Sequence, residues 1–228
     1  MKIILSRLSP FFLILLLLLP FIFLEKGTLV LYLNQFRTSF WDNFFINASI
    51  LGNAICVPFA MLLVLRFRMK WVAIFVLSFL VQIILVLLFK KGFYAGALRP
   101  YLYFKHLGMG DMLTLIEGVK IRYVNTFPSG HTATIFFLTS FFALLSRNKT
   151  ASWVLLGLGL IVGLSRVYLI QHFFIDVYFG ILFGTLSSVV GYYLIKKNPK
   201  KWHAVRLTID FKGVQKSTGD MIRQIFNI

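Results

Sequence analysis

Read from the amino terminus, the chain alternates between long apolar blocks and short polar breaks, with six blocks in all. They run roughly over Pro10–Leu24 (extensible to Leu33), Phe44–Leu65, Trp71–Phe89, Thr132–Leu145, Trp153–Ile170 and Phe173–Ile195. Apolar residues follow one another within a block, with neither strand alternation nor the stripe of an amphipathic helix. A bilayer core needs about 20 apolar residues per helix. The pattern therefore predicts an all-α integral membrane protein, a six-helix bundle over residues 1–195, with a polar, basic tail over 196–228. The leucine run after Lys2 and Arg7 also has the look of a signal peptide. No small-x-small cleavage site follows "FIFLEKG", however, which favours a retained helix.

Composition strengthens this reading. Of the residues, 59% are hydrophobic, against about 45–50% in soluble domains. The net charge of +17, from 24 Lys+Arg against 7 Asp+Glu, raises the question of nucleic acid. The cations sit in short runs between apolar blocks, as in membrane loops, so no nucleic-acid partner is expected. Lys2 and Arg7, the "RFRMK" loop, Arg147 with Lys149 in "SRNKT", and the tail all fall on one side of a six-span chain. The positive-inside rule makes that side cytoplasmic, with both termini there. Cys56 is the sole cysteine, which excludes an intrachain disulfide and a cysteine-based metal cluster. The expected lipid partner of the tail, with eight Lys+Arg against two Asp, is the anionic cytoplasmic leaflet.

Three polar clusters fall on the opposite side: "KKGFYAGALRP" from Lys90 to Pro100, "PSGH" from Pro128 to His131, and "SRVYLIQHFFID" from Ser165 to Asp176. Ionisable groups in membrane segments cost about 2.5–3.5 kcal/mol each near the bilayer centre and usually mark function. His172 and Asp176 are spaced i, i+4, so on a helix they would share a face. A carboxylate there can take the Nδ1 proton and leave Nε2 as a nucleophile. Taken alone, the pair fits an interfacial histidine beside a capping aspartate equally well. "PSGH" reads as a helix start whose N–H groups suit an oxyanion, with Ser129 as hydroxyl donor and His131 as general acid. By itself it reads better as a simple Pro-Ser cap with an incidental histidine. Arg99 and Arg166 offer bidentate forks for phosphate, and Lys90 or Lys91 adds a point charge. Such a set fits phosphoryl transfer stabilised by protein cations.

"PSGH" followed by "SR-x5-H-x3-D" resembles motifs two and three of the type 2 phosphatidic acid phosphatase superfamily, which includes membrane lipid phosphatases and, more distantly, vanadium haloperoxidases. The resemblance implies that His172 forms a phosphohistidine, Asp176 orients it, and His131 protonates the leaving oxygen. It implies further that Ser129, the Gly130 amide, Arg99 and Arg166 cradle phosphate. Motif one departs from the common K-x6-R-P, which would put its lysine at Gly92. Lys91 stands one residue earlier and Lys90 two, and Lys90 is preferred. No cofactor and no metal are expected.

The implied activity is hydrolysis of a terminal phosphate or diphosphate on a membrane lipid. The lipid would be undecaprenyl diphosphate, phosphatidylglycerophosphate, phosphatidate or a lipid A phosphate. The setting would be a bacterial-type inner (cytoplasmic) membrane, with the active site facing the periplasm or exterior. Two alternatives stay open: a lipid phosphotransferase using the same phosphohistidine, and a non-catalytic transporter or scaffold. In the long loop after motif one, "LTLIEGVKIR" partly alternates and predicts a small hairpin around Glu117-Gly118. His106 matches no motif and reads as a surface histidine.

Overall fold

The computed structural model describes residues 2–146 and 148–205. Within them the chain is all-helical. Helix α1 (Lys2–Leu18) continues through a 3-10 turn to Phe23. Then come α2 (Thr28–Gln35), α3 (Ser39–Ile50), α4 (Cys56–Val64), α5 (Met69–Leu87), α6 (Pro100–His106), α7 (Gly130–Leu145), α8 (Lys149–Tyr168) and α9 (Phe174–Lys197). Four helical stretches are long and apolar enough to cross a membrane: Lys2–Phe23, Met69–Phe93, Lys149–Tyr168 and Phe174–Lys197. Gly130–Leu145 is apolar but shorter.

Two details differ from the pattern in the sequence. The second apolar block is not one helix but α3 and α4, parted by a turn at residues 51–55. Gly52 in that turn lies against α7, where a Cβ would come within 2.9 Å of the His131 carbonyl. The predicted hairpin is absent as well. Glu117-Gly118 does form a turn, but the residues after it pair elsewhere, through an antiparallel bridge between Leu98 and Val124. A two-stranded ribbon alone is marginal, and here motif one competes for its backbone groups. Most of the basic tail, 206–228, lies outside the described residues.

Helix α7 is the packing centre. Every residue from Thr132 to Phe141 is buried, and α9, α8, α5 and α1 pack around it. A helix apolar on all sides belongs in such a place. Small residues let α9 approach α7 closely. A Cβ on Gly180 would lie 2.8 Å from Thr132 Cβ, and one on Gly184 would strike the Ala133 carbonyl. The same approach draws Asp176, one turn before Gly180, against the start of α7, where Ser129 N–H donates to the Asp176 carbonyl at 2.9 Å. At the other end of the bundle Arg7 donates to the Leu144 carbonyl. Trp71, at the start of α5, stacks edge-on against Phe141 there, and Met69 N–H meets the Val205 carbonyl at 2.8 Å. The motif residues and Arg7 thus occupy opposite ends of the bundle.

Candidate active site

Motif three is a reverse turn between α8 and α9. Arg166 lies in the last turn of α8, and its carbonyl accepts from the N–H groups of both Gln171 and His172, each at 3.0 Å. Ile170 takes the left-handed region (φ 57°) to complete the reversal. His172 therefore precedes α9 and only Asp176 is helical, which corrects the expectation of a shared helix face. The two meet because Asp176 occupies the first turn of α9. Its Oδ2 accepts from Phe173 N–H at 2.8 Å and lies 3.4 Å from His172 Nδ1.

The other imidazole nitrogen sets the tautomer. His172 Nε2 lies 3.3 Å from Arg99 Nη1. A guanidinium only donates, so Nε2 must present its lone pair and the ring proton sits on Nδ1. Burial, then the charges of Arg99 and Arg166, hold the His172 pKa well below the ordinary imidazole value. The ring is therefore held neutral at physiological pH. Arg99 is buried too, and burial lowers it to about 10, still protonated.

Arg99 is held by backbone carbonyls. Its Nη1 donates to Gln171 O at 2.8 Å and its Nε to Val124 O at 3.0 Å. Lys90 Nζ donates to Asn125 O at 3.1 Å. Lys91 is exposed, so of the two lysines only Lys90 is brought to the cluster. The reason is local: Leu88–Phe93 forms a single π turn, which takes up extra residues by bonding i to i+5. That accommodates the longer spacing before Arg99.

Arg166 is the cation least satisfied by the protein. It is 6% exposed, yet its Nε has no acceptor among the described residues. A buried charge without a partner costs several kcal/mol, so this guanidinium calls for an anionic ligand. Ser129 is fully buried and caps α7. Its Oγ accepts from Thr132 N–H at 3.4 Å and Thr132 Oγ1 at 2.9 Å. Gly130 has open space where a Cβ would stand, so the first turn of α7 can be approached closely. His131, in that turn, lines a cavity of about 320 Å³ together with Phe79, Gln82 and Val86 of α5. His106 is exposed on α6, away from these contacts.

Two residues of the cluster have no place in the motifs. Thr126 Oγ1 donates to Asp176 Oδ2, and its oxygen faces His172 Nδ1 at 3.4 Å, so it holds both partners. Asn125, at φ 59°, turns its carbonyl toward Lys90 and Arg99, a conformation asparagine tolerates better than most residues. The only hint in the sequence is that both directly precede "FPSGH". Thr126→Val keeps the shape and removes the hydroxyl. A hydrogen bond to a charged group is worth about 1.5–3 kcal/mol, so turnover is expected to fall about 10- to 100-fold, with recovery in Thr126→Ser. Wild-type turnover in the valine variant would remove Thr126 from the machinery.

Comparison with known proteins follows the same residues. Residues 71–200 match the profile of the PAP2 superfamily. A stretch of 73 residues is 38% identical to the bacitracin transport permease protein BcrC of Bacillus licheniformis, covering 32% of this chain and 35% of that protein. The chain thus spans about a third of the length of that relative. In overall shape it is similar to the crystal structure of Aquifex aeolicus LpxE, with a TM-score of 0.63 over 75% of this chain and 96% of that one, at 23% identity. That likeness is one of fold.

Proposed function

The chain belongs to the PAP2 superfamily, and from that premise we propose that it is an integral-membrane lipid phosphatase working through a phosphohistidine on His172. The observation that carries the reading is the pairing of a neutral, oriented His172 with the buried, acceptor-poor Arg166. Nucleophile and anion cradle belong to one cluster.

In the proposed first step His172 Nε2 attacks phosphorus and the bond from phosphorus to the lipid-side oxygen breaks. His131 gives that oxygen its proton, and Nδ1–H leans on Asp176 and Thr126 as the ring gains positive charge. Lys90, Arg99, Arg166 and the Gly130 amide offset the charge on the phosphoryl oxygens. In the second step water attacks phosphorus, His131 takes its proton, the P–N bond breaks and inorganic phosphate leaves. Among the described residues no group of three or more His, Cys, Asp or Glu side chains is placed to hold a metal ion, and the proposed chemistry uses no divalent metal. Phosphate release from lipid phosphates in detergent should persist in EDTA; loss that Mg²⁺ restores would reject this.

The proposed setting is six spans over residues 1–195, both termini cytoplasmic and the site on the outer face of a bacterial-type inner membrane. Support comes from the opposite placement of the motif residues and of Arg7, Met69 and Val205. Gln171 is buried and makes a poor reporter of side, whereas Glu117 is exposed on the loop. In a Cys56→Ser background, Glu117→Cys is expected to react with an impermeant thiol reagent in intact spheroplasts. Labelling only after lysis would invert the topology.

A transport role has one observation in its favour, the name of the relative BcrC. The two readings part at His172→Ala, which a transporter would tolerate and a phosphatase would not. Phosphotransfer to a second lipid would share the first step and differ only in the acceptor.

A further inference from the structure

Arg122 belongs to none of the motifs. It rises from the segment 120–125, which is stitched across the site. Lys120 O accepts from Gln171 Nε2 at 3.0 Å. Tyr123 O accepts from Arg99 N–H at 2.8 Å, and Val124 O from Arg99 Nε. Arg122 is thus carried between motif one and motif three on backbone pinned on either side. Its side chain is exposed, and it makes no hydrogen bond or ion pair among the described residues.

The cluster already holds Lys90, Arg99 and Arg166 around one buried anion, Asp176. Three cations with the helix-start amide suffice for one phosphoryl group. A fourth, unpaired guanidinium at the mouth of the same cluster is surplus for a monophosphate. It suits a second phosphoryl group, whose oxygens a planar fork binds bidentately. The bonds of Tyr123 O and Val124 O to Arg99 keep Arg122 beside that cation of the cluster.

We propose that Arg122 is a specificity residue that binds the non-transferred phosphate of a lipid diphosphate, so that the leaving group is a lipid monophosphate. This rests on the phosphatase reading above. With a diphosphate, the breaking bond is the bridging P–O bond. The departing phosphate takes the electron pair, and Arg122 offsets the charge.

The test uses the full-length protein in detergent with EDTA and two substrates with the same chain, farnesyl diphosphate and farnesyl monophosphate. Phosphatidylglycerophosphate, whose second phosphate is a remote diester, forms a third arm. Arg122→Gln is expected to lower kcat/KM for the diphosphate about 10- to 100-fold, the scale of a lost charge-assisted contact. That loss should exceed the loss on the monophosphate by about tenfold or more, with partial recovery in Arg122→Lys. Equal losses on both farnesyl substrates, or none, would overturn the assignment. A selective loss on phosphatidylglycerophosphate alone would overturn it in favour of the remote phosphate. Wild type inactive on every substrate would instead count against the phosphatase reading. Thermal stabilisation by pyrophosphate and by phosphate then decides for Arg122. A pyrophosphate preference lost in Arg122→Gln supports the second-phosphate site, and one that is unchanged refutes it.

Discussion

His172→Ala is expected to abolish lipid-phosphate turnover and, with it, any covalent phosphoenzyme. Four features converge on this residue: its Nε2 lone pair faces Arg99, its Nδ1 faces Asp176 and Thr126, its surroundings keep it neutral, and Arg166 lies buried without an acceptor for its Nε. Nothing else in the cluster offers a lone pair so placed. Losing the group that forms the covalent bond costs on the order of 10⁶-fold in other covalent enzymes. Asp176→Asn should cost less, since the ring stays but its Nδ1–H loses a charged acceptor. The decisive readout is rapid quench with radiolabelled substrate. Wild type should trap an acid-labile, base-stable phosphoenzyme, as a P–N bond requires, and His172→Ala should trap none. Persistence of that species in the alanine variant would falsify the assignment of the nucleophile.

The second large effect is expected at His131, and it should differ in kind. His131 lies in the first turn of α7 and lines the apolar cavity beside α5. That puts it on the side where a lipid chain would leave. Removing a general acid costs about 10²–10⁴-fold, and His131→Ala is expected to fall in that range with an alkyl phosphate. In the phosphorylation step the loss should shrink toward unity with p-nitrophenyl phosphate, whose leaving oxygen needs no proton, giving a nitrophenolate burst as fast as wild type ahead of slow steady-state turnover. Phosphoenzyme should still form from such a substrate and then accumulate, because the water of the second step also gives its proton to His131. A loss of equal size in the phosphorylation step for both leaving groups would show that His131 acts by packing or charge and not as an acid.

Much of the candidate site was legible in the sequence because each motif is short and sits where an apolar block ends. "PSGH" opens the first turn of α7, and "SR-x5-H-x3-D" spans one reverse turn with the helix ends on either side, so local geometry keeps their residues together. What stayed hidden was of two kinds. Thr126 and Asn125 contribute a hydroxyl and a carbonyl, groups nearly every chain has in abundance, and their value depends on partners 35–50 positions away. The choice between Lys90 and Lys91 depended on a π turn, which leaves no composition signal of its own. The hairpin expected around Glu117-Gly118 failed for a related reason: its outer backbone groups were claimed by motif one.

By itself the sequence determined the all-helical, membrane-type character of the chain, since runs of apolar residues leave few other ways to satisfy the backbone in lipid. It also determined which chemical groups were present, and in what order. The tertiary structure alone decided how they meet. Glycines at 180 and 184 bring α9 against α7 and so set Asp176 beside Ser129 and Thr126. A reverse turn swings His172 under Arg99, 73 positions away in the chain. Tautomer, charge state and the unmet demand of Arg166 all follow from those long-range approaches. They are properties of distance and burial, which no local spacing encodes.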